Sequence, residues 1–292
     1  MVDWAYYFIG MGAICALLTL SVSYILSLTM RFMQDKPKTH AFKIHTISTS
    51  RCGGIGIFIA FIVVVMASFE ITHTSDLTGV QADIITDVLA GIHFYIACAV
   101  LLISGLLKDT NKDTNILFVT TVQVIGTIYF IVSFGFLIKS DSVNILSIMC
   151  YFTFLLFSIN SINIIDGVNG NAGFICLLNF LSLCFVACKL EANFIIFASS
   201  LMIGISGVFL CFNYPYGKIF LGDSGSFLLG FVIGALLILG IQYYDLSVFY
   251  ALTLLIYPLC EVLTSIWSRF RRVTSFSVYE FLLHLYEPNN YH

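Results

Sequence analysis

The sequence predicts an all-α fold in which one domain, residues 1–292, forms a polytopic membrane bundle of about nine transmembrane helices. Composition is the first observation: apolar residues make up 59% of the chain and charged residues 10%, against roughly 45–50% and 25% in soluble domains. A soluble domain could not bury that much apolar surface and keep a wetted exterior. The second observation is that apolar runs recur at about the 20 residues that a helix needs to cross the hydrocarbon core.

Nine apolar runs meet this length requirement within a few residues. The first run has no basic segment before it and no small-residue cleavage site after it, so we expect a retained span and not a signal peptide. The predicted spans lie approximately at 5–29, 53–70, 88–107, 116–137, 143–160, 172–188, 192–212, 225–243 and 246–267.

Lysine and arginine decide the predicted orientation. Eleven of the 13 basic residues fall in the loops after the first, third and seventh spans and in the C-terminal tail. The opposite face keeps Lys139 and Lys189. Because positive charge collects on the cytoplasmic side of membrane proteins, we expect an external N-terminus and a cytoplasmic C-terminus.

Charge and cysteine usage argue against two kinds of site. The net charge of −3 offers no basic face for nucleic acid, so no nucleic-acid partner is expected. The nine cysteines form no CxxC pair, which argues against a zinc site and a disulfide framework.

Two polar segments on the predicted cytoplasmic face precede the middle of the chain. Segment 43–54 places Lys43, His45 and Arg51 ahead of paired glycines. Cations and flexible backbone at a helix start suit anion binding, although a positive-inside anchor with a glycine turn explains the same residues. Asp109 closes the third span, where it is either a functional carboxylate or a helix cap.

Two later segments are denser in polar residues. Asn160, Asn163 and Asp166 recur every three residues and therefore share one helical face, next to two spans where polar groups are costly to bury. Asp223 begins the eighth span, where it can cap the helix or hold Mg²⁺ against a diphosphate. Three aspartates on one face favour the metal interpretation over capping alone.

These motifs carry a family resemblance. NSINIIDGVNG (160–170) followed by KIFLGDSGS (218–226) resembles the polyprenyl-phosphate N-acetylhexosamine-1-phosphate transferase superfamily. The similarity begins at an HxxxTxRxGG-like segment (45–54) and continues through 258–272. It implies transfer of HexNAc-1-phosphate from a UDP-HexNAc to undecaprenyl phosphate, with release of UMP, to initiate a cell-surface polysaccharide such as O-antigen, capsule or a wall polymer. It also implies the bacterial inner membrane, a cytoplasmic active site, contact with membrane lipids and, in some relatives, a homodimer.

The resemblance assigns roles to individual positions. It implies catalytic roles for Asp109 and Asp166, and a Mg²⁺ site, with Mn²⁺ as a substitute, at Asp223 and Asn163. The residues that it implies for substrate binding are Lys43, His45, Arg51, Asn160, Asn169, Lys218, Arg271 and His284.

The chain departs from the family pattern at several positions. Lys108 stands where relatives carry an acid next to Asp109, and Val119 stands four residues before Gln123, where relatives tend to carry a cation. One cation is therefore hypothesised to have moved to Lys108. Leu282 replaces a histidine, Glu261 replaces an aspartate, and the chain is expected to lack the family's final span. These departures keep two alternatives open: a weakened or inactive relative that binds lipid or a partner, and a polytopic transporter or flippase.

Overall fold

The computed structural model describes residues 2–30, 34–35, 49–74, 91–111, 113–133, 145–268 and 270–271. Within these ranges the chain is helical apart from two short antiparallel strands. The elements are α1 (Val2–Met30), β1 (Gln34–Asp35), β2 (Thr49–Ser50), α2 (Gly53–Thr74), α3 (Ile92–Thr110), α4 (Ile116–Ser133), α5 (Ile145–Ile165), α6 (Asn171–Lys189), α7 (Asn193–Asn213), α8 (Gly222–Tyr243), α9 (Val248–Leu254) and α10 (Ile256–Ser268).

The expected class, an all-helical polytopic membrane bundle, is confirmed. Among the described residues, seven helices are long and apolar enough to cross a membrane: α1 and α3 to α8. The apolar part of α2 is shorter, Gly53–Ala67, and α9 and α10 qualify only as a bent pair. In the described residues each predicted span overlaps a helix, and the ninth overlaps two. The count of nine and the orientation of the termini stay predictions.

The ninth predicted span differs from a continuous helix. The structure divides 246–267 into α9 and α10, which are bent by 59° at the break. Pro258 lies in the first turn of α10; in a continuous helix it would have no N–H to donate and its ring would clash with the carbonyl four residues earlier. That carbonyl belongs to Leu254, the last residue of α9.

The centre of the bundle is α8, which is buried almost from end to end. It packs against α2, α3 and α5, while α7 packs against α1 and α6. A helix that is apolar on every side is buried in a protein core or spans a membrane. The first residues of α8 are therefore surrounded by the ends of other helices.

Glycines let α2 and α3 approach the beginning of α8 closely. A Cβ built on Gly54 would lie less than 3.0 Å from the backbone of Gly225, and one built on Gly105 less than 3.0 Å from the backbone of Ser224. Small residues at helix contacts are a common source of close packing in membranes, where lipid removes the usual hydrophobic driving force. These two contacts determine how near the polar ends of the three helices come.

We expect Gly105→Ala to destabilise the bundle by about 1–3 kcal/mol, because the added methyl group meets backbone that cannot move aside. The control is Gly207→Ala in α7, since a Cβ there meets nothing within 4 Å. Thermal unfolding in detergent, followed by circular dichroism, compares the two variants. Equal melting temperatures would contradict the close contact between α3 and α8.

Candidate active site

The segment before α8 is tied to the segment before α2 by backbone hydrogen bonds. Phe220 N–H donates to the Ser50 carbonyl at 2.8 Å, and Gly53 N–H donates to the Phe220 carbonyl at 3.0 Å. Gly222 then enters the helix with φ of 76°, a conformation that other residues rarely adopt. This pairing brings Arg51 and Asp223 to the same place.

Asp109 caps α8 from the last turn of α3. Its side chain is fully buried, and its two carboxylate oxygens accept hydrogen bonds from the backbone N–H groups of Asp223 at 3.0 Å and Ser224 at 2.9 Å. Arg51 Nη1 lies 3.7 Å from the same carboxylate. A carboxylate at a helix N-terminus satisfies orphan amides and interacts favourably with the helix dipole. Asp109 is therefore placed to hold Asp223 in position.

The Asp223 carboxylate receives donors from three other elements. Lys108 Nζ lies 2.8 Å from Oδ1, and Asn163 Nδ2 donates to the same oxygen at 2.7 Å. Arg51 Nη1 lies 4.0 Å from Oδ2. The side chain keeps 14% exposure, so Asp223 is the more accessible of the two aspartates in contact here.

Asn163 faces Asp223 with its amide nitrogen. That nitrogen also donates to Ser226 Oγ at 2.8 Å, and the Ser226 hydroxyl donates to the Asp223 carbonyl at 3.1 Å. In this geometry the amide nitrogen of Asn163 supports the Asp223 carboxylate, and a metal ion would bind Asn163 through its amide oxygen.

Asp166 follows the end of α5 and is half-buried. Burial raises the pKa of its carboxyl well above the usual range, the charges of Asp223 and Asp109 raise this pKa further, and Arg51 lowers it. The electrostatic coupling places Asp166 in the field of the other two aspartates. The structure thus brings Asp109 and Asp223 into contact, and Asp166 lies within electrostatic range of both.

A second part of the site joins the loop after α5 to the loop before α8. Gly170, with φ of 85°, begins the turn into α6, and its N–H donates to Asn213 Oδ1 at 2.5 Å. Asn213 Nδ2 donates to the Ile219 carbonyl at 2.9 Å. Asn169 Nδ2 lies 3.4 Å from the Pro215 carbonyl. Lys218 lies in the same loop with an exposed side chain.

The other predicted binding residues lie in different surroundings. Asn160 is exposed on α5 and donates to the Leu156 carbonyl at 2.8 Å and to Gln123 Oε1 at 3.3 Å. The Arg271 guanidinium lies 5.0 Å from the centre of the Trp267 ring. The remaining predictions, Lys43, His45 and His284, lie outside the described residues, as does Leu282.

Two residues of the site were absent from the predicted set. Asn213 joins the two loops. In the sequence it could have been noticed as a polar residue directly after the apolar span 192–212. Lys108 contacts Asp223 directly, although the sequence marked it only as a departure beside Asp109. Its contact could not be read from the chain, because 115 positions separate the partners.

We expect Asp109→Asn to lower the stability of the protein by about 1–3 kcal/mol, because one buried N–H group of α8 loses its acceptor. Asp113→Asn is the matched control, since Asp113 is an exposed acid shortly after α3. Melting temperatures of the purified variants in detergent measure the difference. If the two variants had the same melting temperature, Asp109 would not be the cap of α8.

Two comparisons with known proteins bear on this site. The model of glycosyl transferase family 4 matches residues 92–241, half of the chain, which includes Asp109, Asp166 and Asp223. A probable undecaprenyl-phosphate N-acetylglucosaminyl 1-phosphate transferase of Bacillus subtilis (strain 168) is 26% identical over 217 residues, which cover 71% of this chain and 55% of that relative. The chain thus spans about half the length of this curated relative. The resemblance seen in the motifs is confirmed, and the chain belongs to glycosyl transferase family 4.

Proposed function

We propose that the protein transfers a HexNAc-1-phosphate from a UDP-HexNAc to undecaprenyl phosphate, releasing UMP and initiating a cell-surface polysaccharide. The observation that carries this proposal is the convergence of three aspartates with Lys108 and Arg51 at the beginning of α8. The matched relative supports it, since its name specifies this type of reaction.

The reaction requires charge neutralisation more than covalent help. An oxygen of the lipid phosphate forms a bond to the β-phosphorus of the UDP-sugar, and the bond from that phosphorus to the bridging oxygen breaks, so that oxygen leaves with UMP. A phosphate monoester has a second pKa of about 6 and is mostly a dianion at neutral pH. It therefore needs positioning more than a strong base. Arg51 and Lys108 supply positive charge where the diphosphate would lie.

The position of the site suits one substrate in the lipid and another in water. The end of α3 and the beginnings of α2 and α8 meet here, so the site lies where these helices leave the apolar interior. The lysine and arginine distribution supports a cytoplasmic position for this end, and we propose that the membrane is the bacterial inner membrane. UDP-sugars are cytoplasmic, and undecaprenyl phosphate can reach the site from the inner leaflet.

Mg²⁺, with Mn²⁺ as a substitute, is the cofactor that this reaction implies. Among the described residues no group of three or more His, Cys, Asp or Glu side chains is arranged to hold a metal ion. The donors still fit a Mg²⁺ site of the kind that uses one or two carboxylates with substrate phosphates. Asp223 would hold the ion, with the amide oxygen of Asn163 as the second proposed ligand, and the ion would neutralise charge on the diphosphate and on the departing UMP.

A second candidate is a family member with little or no activity that binds lipid or a partner. The ion pair between Lys108 and Asp223 favours it, because the proposed metal carboxylate already has a cation at 2.8 Å. Val119 also favours this second candidate, since the position where relatives tend to carry a cation holds a buried apolar residue.

The position of the aspartates argues against a transporter, because they lie at helix ends and not in the middle of the membrane.

We expect purified protein to release UMP from UDP-GlcNAc or a related UDP-HexNAc only when undecaprenyl phosphate is present. Asp223→Asn should lower this rate by about 100-fold or more, as losing one charge-stabilising group does in other enzymes. The matched control is Asp245→Asn, since Asp245 is an exposed acid beyond the opposite end of α8. The proposal would be rejected if the rate of UMP release were the same with and without undecaprenyl phosphate, or if both variants had equal rates.

A further inference from the structure

The ammonium group of Lys108 is held in place on two sides. Its Nζ lies 2.8 Å from Asp223 Oδ1 and 5.4 Å from the centre of the Phe227 ring, within the range of a cation–π interaction. Asp109, the next residue, binds the first amides of α8. Because α3 is thus anchored to α8 beside it, the backbone of Lys108 is held in a fixed position relative to Asp223.

Both oxygens of the Asp223 carboxylate face groups that carry hydrogen. Oδ1 accepts from Lys108 and from Asn163 at 2.7 Å, and Oδ2 lies 4.0 Å from Arg51. A divalent ion binds through oxygen lone pairs. Any such ion bound to Oδ1 must therefore displace the Lys108 ammonium or share the carboxylate with it against like-charge repulsion.

We propose that Lys108 is a built-in cation of the site that competes with divalent metal for Asp223, so that the substrate-free protein binds Mg²⁺ or Mn²⁺ weakly. The second half of the inference rests on the proposed function: a diphosphate that draws Lys108 to itself would free Asp223 for the metal. Lysine suits this role, because its ammonium is a compact point charge on a flexible stem.

The experiment measures Mn²⁺ binding by electron paramagnetic resonance on detergent-purified protein without nucleotide or lipid phosphate. Lys108→Met removes the charge and keeps a long side chain, and we expect it to tighten the Mn²⁺ Kd at least about tenfold. Lys108→Arg keeps a cation and should bind Mn²⁺ as weakly as the parent. In the double variant with Asp223→Asn the gain should vanish.

Lys189→Met provides a matched control. Lys189 also lies in the last turn of a helix, α6, and its Nζ lies 4.6 Å from the centre of the Phe185 ring. Its replacement should leave the Kd unchanged. Each variant is compared only if it elutes as a single species with the parent's helical circular dichroism.

Three results would overturn the inference: a smaller gain in Lys108→Met, an equal gain in Lys108→Arg, or a gain that survives Asp223→Asn. The measurement needs no UDP-sugar and no lipid substrate. A failed Mn²⁺ result therefore leaves the transferase proposal standing. A failed UMP assay alongside the expected Mn²⁺ result would reject the transferase proposal and the diphosphate half of the inference, and the competition between Lys108 and the metal would stand.

Discussion

The hydrogen bonds from the first amides of α8 to the Asp109 carboxylate are the interaction on which the rest of the site depends. They join the last turn of one membrane helix to the first turn of another, at 3.0 and 2.9 Å. Four amides at a helix start have no partner within the helix, and water is scarce in a packed bundle. The fully buried Asp109 carboxylate satisfies two of them and fixes the backbone that carries the Asp223 side chain.

This cap requires backbones that lie unusually close. Gly54 and Gly105 supply that closeness, since neither position has room for a Cβ against the first turn of α8. The backbone pairing of 50–54 with 218–222 fixes the third side. Because all three neighbours are rigid elements, Asp223 is held by packing as well as by hydrogen bonds, which suits a site that works by positioning charge.

The electrostatics of the site combine two cations with three carboxylates. Asp109 accepts hydrogen bonds from two amides and lies 3.7 Å from Arg51. Asp223 carries its own counter-ion in Lys108, and the charges of both aspartates contribute to the raised carboxyl pKa of the half-buried Asp166. All three aspartates lie within residues 92–241, which match glycosyl transferase family 4. Lys108 adds a cation 2.8 Å from Asp223, and under the proposal above this cation would weaken the binding of divalent metal.

The sequence by itself determined the membrane bundle, the polar face and the grouping of Asp109, Asp166 and Asp223. A membrane span is a contiguous stretch that is long, apolar and nearly free of charge, and each motif is also contiguous. Both can therefore be recognised in the sequence alone. Tertiary structure alone decided which atom meets which. Three contacts depend on the rotation of the helices about their axes. They are those of Asp109 with the amides of α8, of Lys108 with Asp223, and of the Asn163 amide nitrogen with Asp223. That rotation is set by close packing between residues more than fifty positions apart, which no local pattern records.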